Sequence, residues 1–334
     1  MAVTVRSYAK INLGLRIGTP RPDGFHELLT VYQTIALHDL IRVQVKRGSG
    51  IEIRSEDPGV PRDESNTCYR IVERAMAALN ARGRVVIEIE KRLPVQGGLG
   101  GASGNAVATL LALERALKKE LPGPEKLRIA AEVGSDLPLF LVGGTILGVG
   151  RGEQVYPLPD LPPVACVIVT PDVGVSTPKA FADWDAAQAP ELTPADASDR
   201  MNEFSRVLSA WLSVPERTRN KAKSGKGLSG VSARGRGRAE TPLLDLVRTG
   251  IENDFERVVF PQYPELFEIK RVVERAGAFY ASLSGSGSAI YGLFATRKAA
   301  QTAAAKLQKM GVKALATSTL TRRQYWKKFL VSGF

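Results

Sequence analysis

Three groups of residues in this chain have the types and spacing to do chemistry. The first runs from Pro94 to Ala106, with glycine at four of the five positions 97–101 and small residues after them. Glycine accepts positive φ and lets a ligand come close to the backbone. A helix start presents unpaired N–H groups at the positive end of its dipole. A glycine loop that opens a helix is therefore a cradle for phosphate, although a tight turn between two packed elements would use the same residues. No lysine follows the glycines, so the Walker pattern is absent, and GxGxxG is absent from this loop as well. The second group is Lys10 and Asn12. Ile11, Leu13, Leu15 and Ile17 alternate strictly, which puts Lys10, Asn12, Gly14 and Arg16 on the opposite face of a strand, with Lys10 and Asn12 about 7 Å apart. By spacing alone that face is equally a solvated one. The third is Asp136, placed just after Gly134; locally it reads as a catalytic carboxylate or as the cap of a short turn.

The pattern around these residues predicts the elements that hold them. Val3 to Ile17 reads as one or two strands. Arg21-Pro22-Asp23-Gly24 is a turn, with Phe25 and His26 following it, and Leu28 to Tyr32 is a strand. Asp39–Lys46 and Ile51–Arg54 read as a hairpin turning at Gly48-Ser49-Gly50. Asn66 or Thr67 caps a helix with Val72, Ala75, Met76 and Leu79 on one face. Val85 to Ile89 is a strand, leading to the glycine loop and a helix with Val107, Leu110, Leu111 and Leu117 on one side. Glu125 to Val133 is a helix with Leu127, Ala130 and Val133 inward, stopped by Gly134. Val164–Val169 is a buried strand, and Ser176-Thr177-Pro178 opens a helix that carries Phe181. Further on come a helix with Leu266, Ile269, Val273 and Ala276 inward, a strand–turn–strand over Ala281–Tyr291, a helix over Lys298–Met310 and a strand over Val312–Ala316. Thr321–Phe334 is basic and aromatic, readable only as a terminal helix.

The 334 residues suit one large or two ordinary domains, and 44% hydrophobic with 24% charged content is globular. No apolar run approaches the roughly eighteen residues of a membrane span, and Arg6 and Lys10 break up any secretory leader. Cys68 and Cys166 fit neither a disulfide framework nor a zinc site and read as buried thiols of a cytoplasmic protein. The net charge of +12 raises the question of nucleic acid. Arg219, Lys221, Lys223, Lys226, Arg234, Arg236 and Arg238 supply more than half of it, in a stretch (219–239) without an acid. The GxGxxG match at Gly225–Gly230 follows no strand, so this stretch reads as a flexible basic insertion rather than a dinucleotide site. His38 has no motif around it and reads as structural.

Pro94–Ala106 closely resembles the phosphate loop of the GHMP kinases. Ala9-Lys10-Ile11-Asn12-Leu13 and Arg21-Pro22-Asp23-Gly24-Phe25-His26 resemble the opening of the branch that phosphorylates a cytidylyl-methylerythritol in the non-mevalonate isoprenoid route. Gly134–Phe140 is similar to the segment holding that family's catalytic aspartate, Gly148–Glu153 to its GxGE turn and Ala281–Tyr291 to its third motif. The resemblance implies an α+β, two-domain fold: a ribosomal-protein-S5-like unit over residues 1–155 and a ferredoxin-like unit over 156–334.

It also implies a phosphoryl transfer from ATP, with Mg²⁺, to the 2-hydroxyl of that substrate. The nucleotide would lie on Pro94, Val95, Gln96, Gly97, Gly98, Leu99, Gly100, Gly101, Ala102, Ser103, Gly104 and Asn105. Asp136 would be the base, and Lys10 would offset charge on the transferring group. Asn12 would orient the acceptor, Thr177 would bind substrate from a segment that faces the active site, and Ser103 would reach the metal or a phosphate, the metal ligands being otherwise unassigned. Phe25, His26 and Phe181 would hold the cytosine; Phe25 stands where the branch often has tyrosine, and stacking needs only the ring. The partners implied are these small molecules, with no membrane and no nucleic acid, in a monomer or homodimer. The competing expectations are a homoserine- or mevalonate-type kinase of the same fold, a non-catalytic ligand sensor, and a basic nucleic-acid-binding module.

Overall fold

In the computed structural model the chain is described over residues 2–94, 97–188, 194–213 and 252–331. Val95, Gln96, the basic stretch 219–239 and the last residues of the tail lie outside these ranges. The fold is built on two long strands, β1 (Ala2–Pro20) and β2 (His26–Lys46), paired antiparallel along almost their whole length. β2 has two edges to satisfy. β1 takes one; the other is shared by β4 (Arg84–Glu90), against Leu40–Lys46, and β5 (Thr145–Val149), against Thr30–Gln33. β3 (Ile51–Arg54) and β6 (Gln154–Pro157) complete a six-stranded sheet.

The expected hairpin between Asp39–Lys46 and Ile51–Arg54 does not form. Both edges of β2 are occupied over that stretch, so β3 pairs with the free edge of β4 and runs parallel to it. Helix α1 (Thr67–Ala78) makes the crossover, capped by Asn66, whose side chain accepts from the Cys68 N–H at 2.8 Å. Helices α2 (Gly101–Leu117), α3 (Gly123–Val133) and α4 (Leu137–Val142) complete this layer. Their buried faces join Ile41, Val43, Val85 and Ile87 in one apolar core. In α3 the inward residues are Ile129, Ala130 and Val133, while Leu127, expected inward, is 39% exposed. It lies off the buried face that Ile129 and Val133 share.

The second layer is a four-stranded antiparallel sheet in the order β10–β7–β9–β8, from Ala314–Ser318, Ala165–Val169, Ile290–Phe294 and Tyr280–Leu283. α5 (Thr177–Gln188), α7 (Glu256–Gln262), α8 (Pro264–Arg275) and α9 (Arg297–Lys309) accompany it, while α6 (Pro194–Ser213) packs on β1. The two sheets share a core. Ala9, Ile11 and Leu13 of β1 pack with Cys166, Ile168, Tyr291 and Leu293 of the second sheet. A register shift between Asn12 and Gly14 then sends Leu15 and Ile17 into a different cluster. The alternation read from the sequence is therefore real, but neither face of β1 is solvated.

The chain does not finish in the second layer. After β10 the backbone crosses back, and α10 (Arg322–Lys327) lies against the first sheet. Arg6 N donates to Phe329 O at 2.8 Å and Val331 N to Thr4 O at 3.1 Å. Among the described residues no helix is long and apolar enough to cross a membrane, and both cysteines are buried and unpaired.

Burial pushes the phenols of Tyr8, Tyr32, Tyr280, Tyr291 and Tyr325 upward from their ordinary range. In the unfolded chain tyrosine ionises near pH 10, about the point at which the folded protein still resists. Above that pH the unfolded state binds fewer protons, and stability must fall as pH rises. Thermal unfolding should therefore be insensitive to these groups up to about pH 9 and shift downward above pH 10. Phenolate absorbance should give part of its signal only with unfolding. Free titration of every tyrosine in the folded protein would contradict this burial.

Candidate active site

The glycine loop lies between β4 and α2, and both its flanks are tied to one buried carboxylate. Asp39 of β2 accepts from Lys91 Nζ (2.5 Å), Arg92 N (2.7 Å), Leu93 N (2.8 Å) and Asn105 Nδ2 (3.0 Å). A fully buried carboxylate is tolerable because each of its oxygens is met this way; removing one partner of such a pair costs about 3–5 kcal/mol. Gly100 caps α2 at φ +69° with no side-chain bond, so the amides of Gly101, Ala102 and Ser103 have no carbonyl one turn back. Gly98 sits at φ +71°, and a Cβ there would collide with the Ser284 carbonyl oxygen of the β8–β9 turn. That turn is locked on by Ser284 Oγ to Gly98 O (3.0 Å) and Ala289 N to Gly97 O (3.2 Å).

A cleft of about 350 Å³ opens on this loop, bordered by Pro94, Gly97–Ser103, Asn105, Lys91 and the start of α1. Of the residues expected to hold nucleotide, Leu99 borders the cleft while its side chain is buried in the core between the sheets. Gly104 instead packs on the Tyr8 carbonyl and Ser7. Asn105 Oδ1 is buried without a partner among the described residues. It leaves an acceptor beside the free amides at the start of α2, and those amides are the donors that fit a triphosphate.

A second cleft, about 660 Å³, meets the first at Gly98, Gly100 and Ser103 and is lined by Lys10, Asn12, Tyr32 and Asp136. The four form one chain of contacts. Lys10, only 3% exposed, donates from Nζ to Asn12 Oδ1 at 2.7 Å and stands 3.4 Å from Asp136 Oδ2. Asn12 Nδ2 donates to Thr30 Oγ1 at 2.8 Å, which fixes the amide orientation. Tyr32 OH donates to the other Asp136 oxygen at 3.1 Å. Asp136 caps α4 by position, yet its side chain makes no capping bond; the carboxylate faces lysine and phenol instead. Burial, with the neighbouring Asp136 charge, pushes the Tyr32 phenol well up, so Tyr32 stays a neutral donor. Gly148 and Gly152 leave room for its ring: a Cβ at either would strike it.

At the far end of this cleft lie Phe25, His26, Thr177 and Phe181. Phe181 is stacked on His26, centroids 5.1 Å apart and planes at 12°, and meets Phe255 edge-on. His26 Nε2 is 2.7 Å from Asp185 Oδ1. Phe25 is 48% exposed, with the Arg151 guanidinium 4.7 Å above its ring. Thr177 Oγ1 is 2.7 Å from Ser286 Oγ.

Sequence reasoning missed Tyr32, Asp39, Lys91, Arg151 and Asp185. Tyr32 sits in an apolar strand run and Asp39 beside a histidine without a motif, so neither carried a local signal. Arg151 was legible only as part of a turn, and Asp185 only as one more acid on a helix.

Residues 66–144 match the family model for the GHMP kinases N-terminal domain, and residues 240–313 that for the GHMP kinases C-terminal domain. The chain is 40% identical over 295 residues to the 4-diphosphocytidyl-2-C-methyl-D-erythritol kinase of Solibacter usitatus, covering 88% of this chain and 82% of that one. It is 33% identical over 308 residues to the protein of the same name from Acaryochloris marina, covering 92% of each. A crystal structure of 4-(cytidine 5'-diphospho)-2C-methyl-D-erythritol kinase superposes with a TM-score of 0.68 at 28% identity, covering 95% of this chain and 98% of that one. Homoserine kinase from Cytophaga hutchinsonii shares the fold, with a TM-score of 0.69 at 19% identity over 96% and 95% of the two chains.

Gly98→Ala tests the loop geometry. Positive φ and the collision with Ser284 together should cost roughly 1–3 kcal/mol or more in denaturant unfolding, with nucleotide affinity falling alongside. Stability and affinity equal to the parent would mean the loop does not lie against that turn.

Proposed function

The chain belongs to the GHMP kinase family, and from that premise we propose that it transfers the γ-phosphoryl group of ATP to the 2-hydroxyl of 4-diphosphocytidyl-2-C-methyl-D-erythritol. The products are ADP and the 2-phosphate, on the non-mevalonate route to isoprenoid precursors. One observation carries the reading at the level of the site. Two clefts meet at Gly98, Gly100 and Ser103, and the second holds a buried lysine 3.4 Å from a carboxylate that makes no capping bond. One cleft suits a donor nucleotide, the other an acceptor alcohol.

In this scheme the triphosphate rests on the amides at the start of α2. The acceptor oxygen attacks the γ-phosphorus and forms the new O–P bond, while the bond to the bridging oxygen breaks and its electron pair leaves on ADP. Asp136 takes the proton of the hydroxyl. Lys10 offsets charge on the group in flight, and Asn12 orients the alcohol. Tyr32, held neutral, keeps the Asp136 carboxylate turned toward Lys10. Such transfer is mostly positioning and electrostatics, and Mg²⁺ supplies neutralisation of the phosphates when bound. Among the described residues no three His, Cys, Asp or Glu side chains gather into a metal site. Ser103, which borders both clefts, would be the protein hydroxyl placed to reach such an ion.

For the cytidylyl end we assign Phe25, His26, Phe181 and Thr177. The contact of His26 with Asp185 holds the imidazole in place, so its remaining ring nitrogen is presented in one orientation. Phe181 and Phe25 offer ring faces for the base. The nucleotide-binding unit is assigned to residues 1–155 and the second unit to 156–334. We propose a cytoplasmic protein that acts as a monomer or homodimer.

An ATP-coupled assay with the cytidylyl substrate tests the proposal. Asp136→Asn and Lys10→Met should each lower kcat by roughly 10²–10⁴-fold, the range of a lost acid–base or charge-stabilising group, with the fold intact by circular dichroism. Near-parental turnover of Asp136→Asn would contradict the mechanism. Free methylerythritol phosphate should be a poor acceptor, and Phe181→Ala should raise KM for the cytidylyl substrate while leaving KM for ATP unchanged. Equal rates with the two acceptors would remove the base pocket from the reading.

A further inference from the structure

The catalytic carboxylate hangs from a short element. α4 has six residues, and a helix of that length does not hold itself in water. Something outside it must fix where Asp136 points. The structure supplies a brace in α10 and the residues around it, a stretch that nothing in the motifs or the mechanism above uses.

The brace takes the carbonyls at the end of α4 that the helix leaves unpaired. Tyr325 OH donates to Phe140 O at 2.7 Å, Trp326 Nε1 to Val142 O at 3.0 Å and Arg322 Nε to Gly143 O at 3.2 Å. Arg322 Nη2 continues to Thr145 O and Leu158 O at 3.1 and 3.2 Å. The backbone is shaped for this contact. Gly143 turns at φ +71°, and a Cβ there would stand 2.5 Å from Tyr325 Cδ1. From the other side of α4, Phe140 reaches the phosphate loop: a Cβ on Gly100 would be 3.0 Å from its Cζ.

The brace is anchored to the strands that carry Lys10 and Tyr32. Leu320 N donates to Thr34 O at 2.9 Å, Arg6 N to Phe329 O at 2.8 Å and Arg6 Nη1 to Lys328 O at 2.6 Å. The Tyr325 and Tyr8 rings lie 5.2 Å apart. Thr321 and Gln324 close a capping box at the start of α10, so the brace has order of its own. One segment is thus bonded to the strands bearing the lysine and to the helix bearing the aspartate.

We propose that residues 321–331 position the catalytic base. Tyr325, Trp326 and Arg322 hold the end of α4, and through it they set the spacing of Asp136 from Lys10, Tyr32 and the phosphate bed. They are positioning residues and touch no substrate. The inference rests on the reading of Asp136 as the base.

The test compares the parent with Trp326→Phe, Tyr325→Phe, their double variant and Asp136→Asn. Each is measured for kcat, both KM values, the pH profile of kcat and thermal unfolding. The double variant should lose about tenfold in kcat, keep both KM values within twofold, and shift the acid limb of the kcat profile. Trp326→Phe, whose side chain is 39% exposed and tolerates replacement, should lose about threefold and stands in if the double variant does not fold. A parental kcat and pH profile with a lowered unfolding temperature would overturn the proposal, because the contacts would then be merely structural. So would a raised KM with kcat unchanged. If Asp136→Asn is inactive while the brace variants match the parent, only the brace fails; if Asp136→Asn turns over normally, the assignment of the base fails and the brace with it.

Discussion

An ammonium group taken out of water must be met by charge and by hydrogen-bond acceptors, or it will not stay charged and buried. Lys10 sets that demand. It lies in the middle of the long β1–β2 pairing and is almost wholly buried, so its surroundings must be brought to it. Asn12 comes from the same strand, Tyr32 from its antiparallel neighbour and Asp136 from the head of α4. Each arrives by a different element, and the sheet, the short helix and the tail are arranged so that they arrive together. The interaction is worth little to stability relative to an apolar replacement. In the proposed reaction its value is functional, because a paired lysine and carboxylate opposite free amides can take a proton and offset the charge of a phosphoryl group in the same place.

The second constraint is close approach. At Gly98 the loop passes against backbone with no space for a Cβ, at Gly100 a Cβ would press on Lys10 and Phe140, and both carry positive φ. Asp39 then clamps both flanks of the loop. The result is a bed whose amides are held open by glycine and whose position is set by a buried carboxylate that lines neither cleft. The glycine loop and Asp136 border clefts that meet at Gly98, Gly100 and Ser103.

Much of the site was readable from residue types. The alternation of Ile11 and Leu13 put Lys10 and Asn12 on one face, and the glycine run marked the turn that opens α2. Asp136 reads locally as a cap or a catalytic carboxylate, and in the fold its side chain makes no capping bond. What failed was what depends on distant pairing. Gly48-Ser49-Gly50 has good turn chemistry, yet β3 pairs with β4 because β2 has no free edge there. Tyr32 reads as a strand aromatic, and only the fold brings its hydroxyl to Asp136. Asp39 looks like a strand-start acid, though its four partners come from 52 to 66 residues away. The tail, basic and aromatic, carries no periodic signal, because its role is to bond carbonyls 179–185 residues earlier in the chain.

The most direct measurement is an experimental structure of the ternary complex with a non-transferable ATP analogue and the cytidylyl substrate. The γ-phosphoryl group should lie over the amides of Gly101–Ser103, with the 2-hydroxyl within hydrogen-bond reach of Asp136 and beside Lys10 Nζ, in line for attack. A complex in which that hydroxyl lies out of reach of both side chains, or in which the triphosphate avoids the glycine loop, would contradict the account.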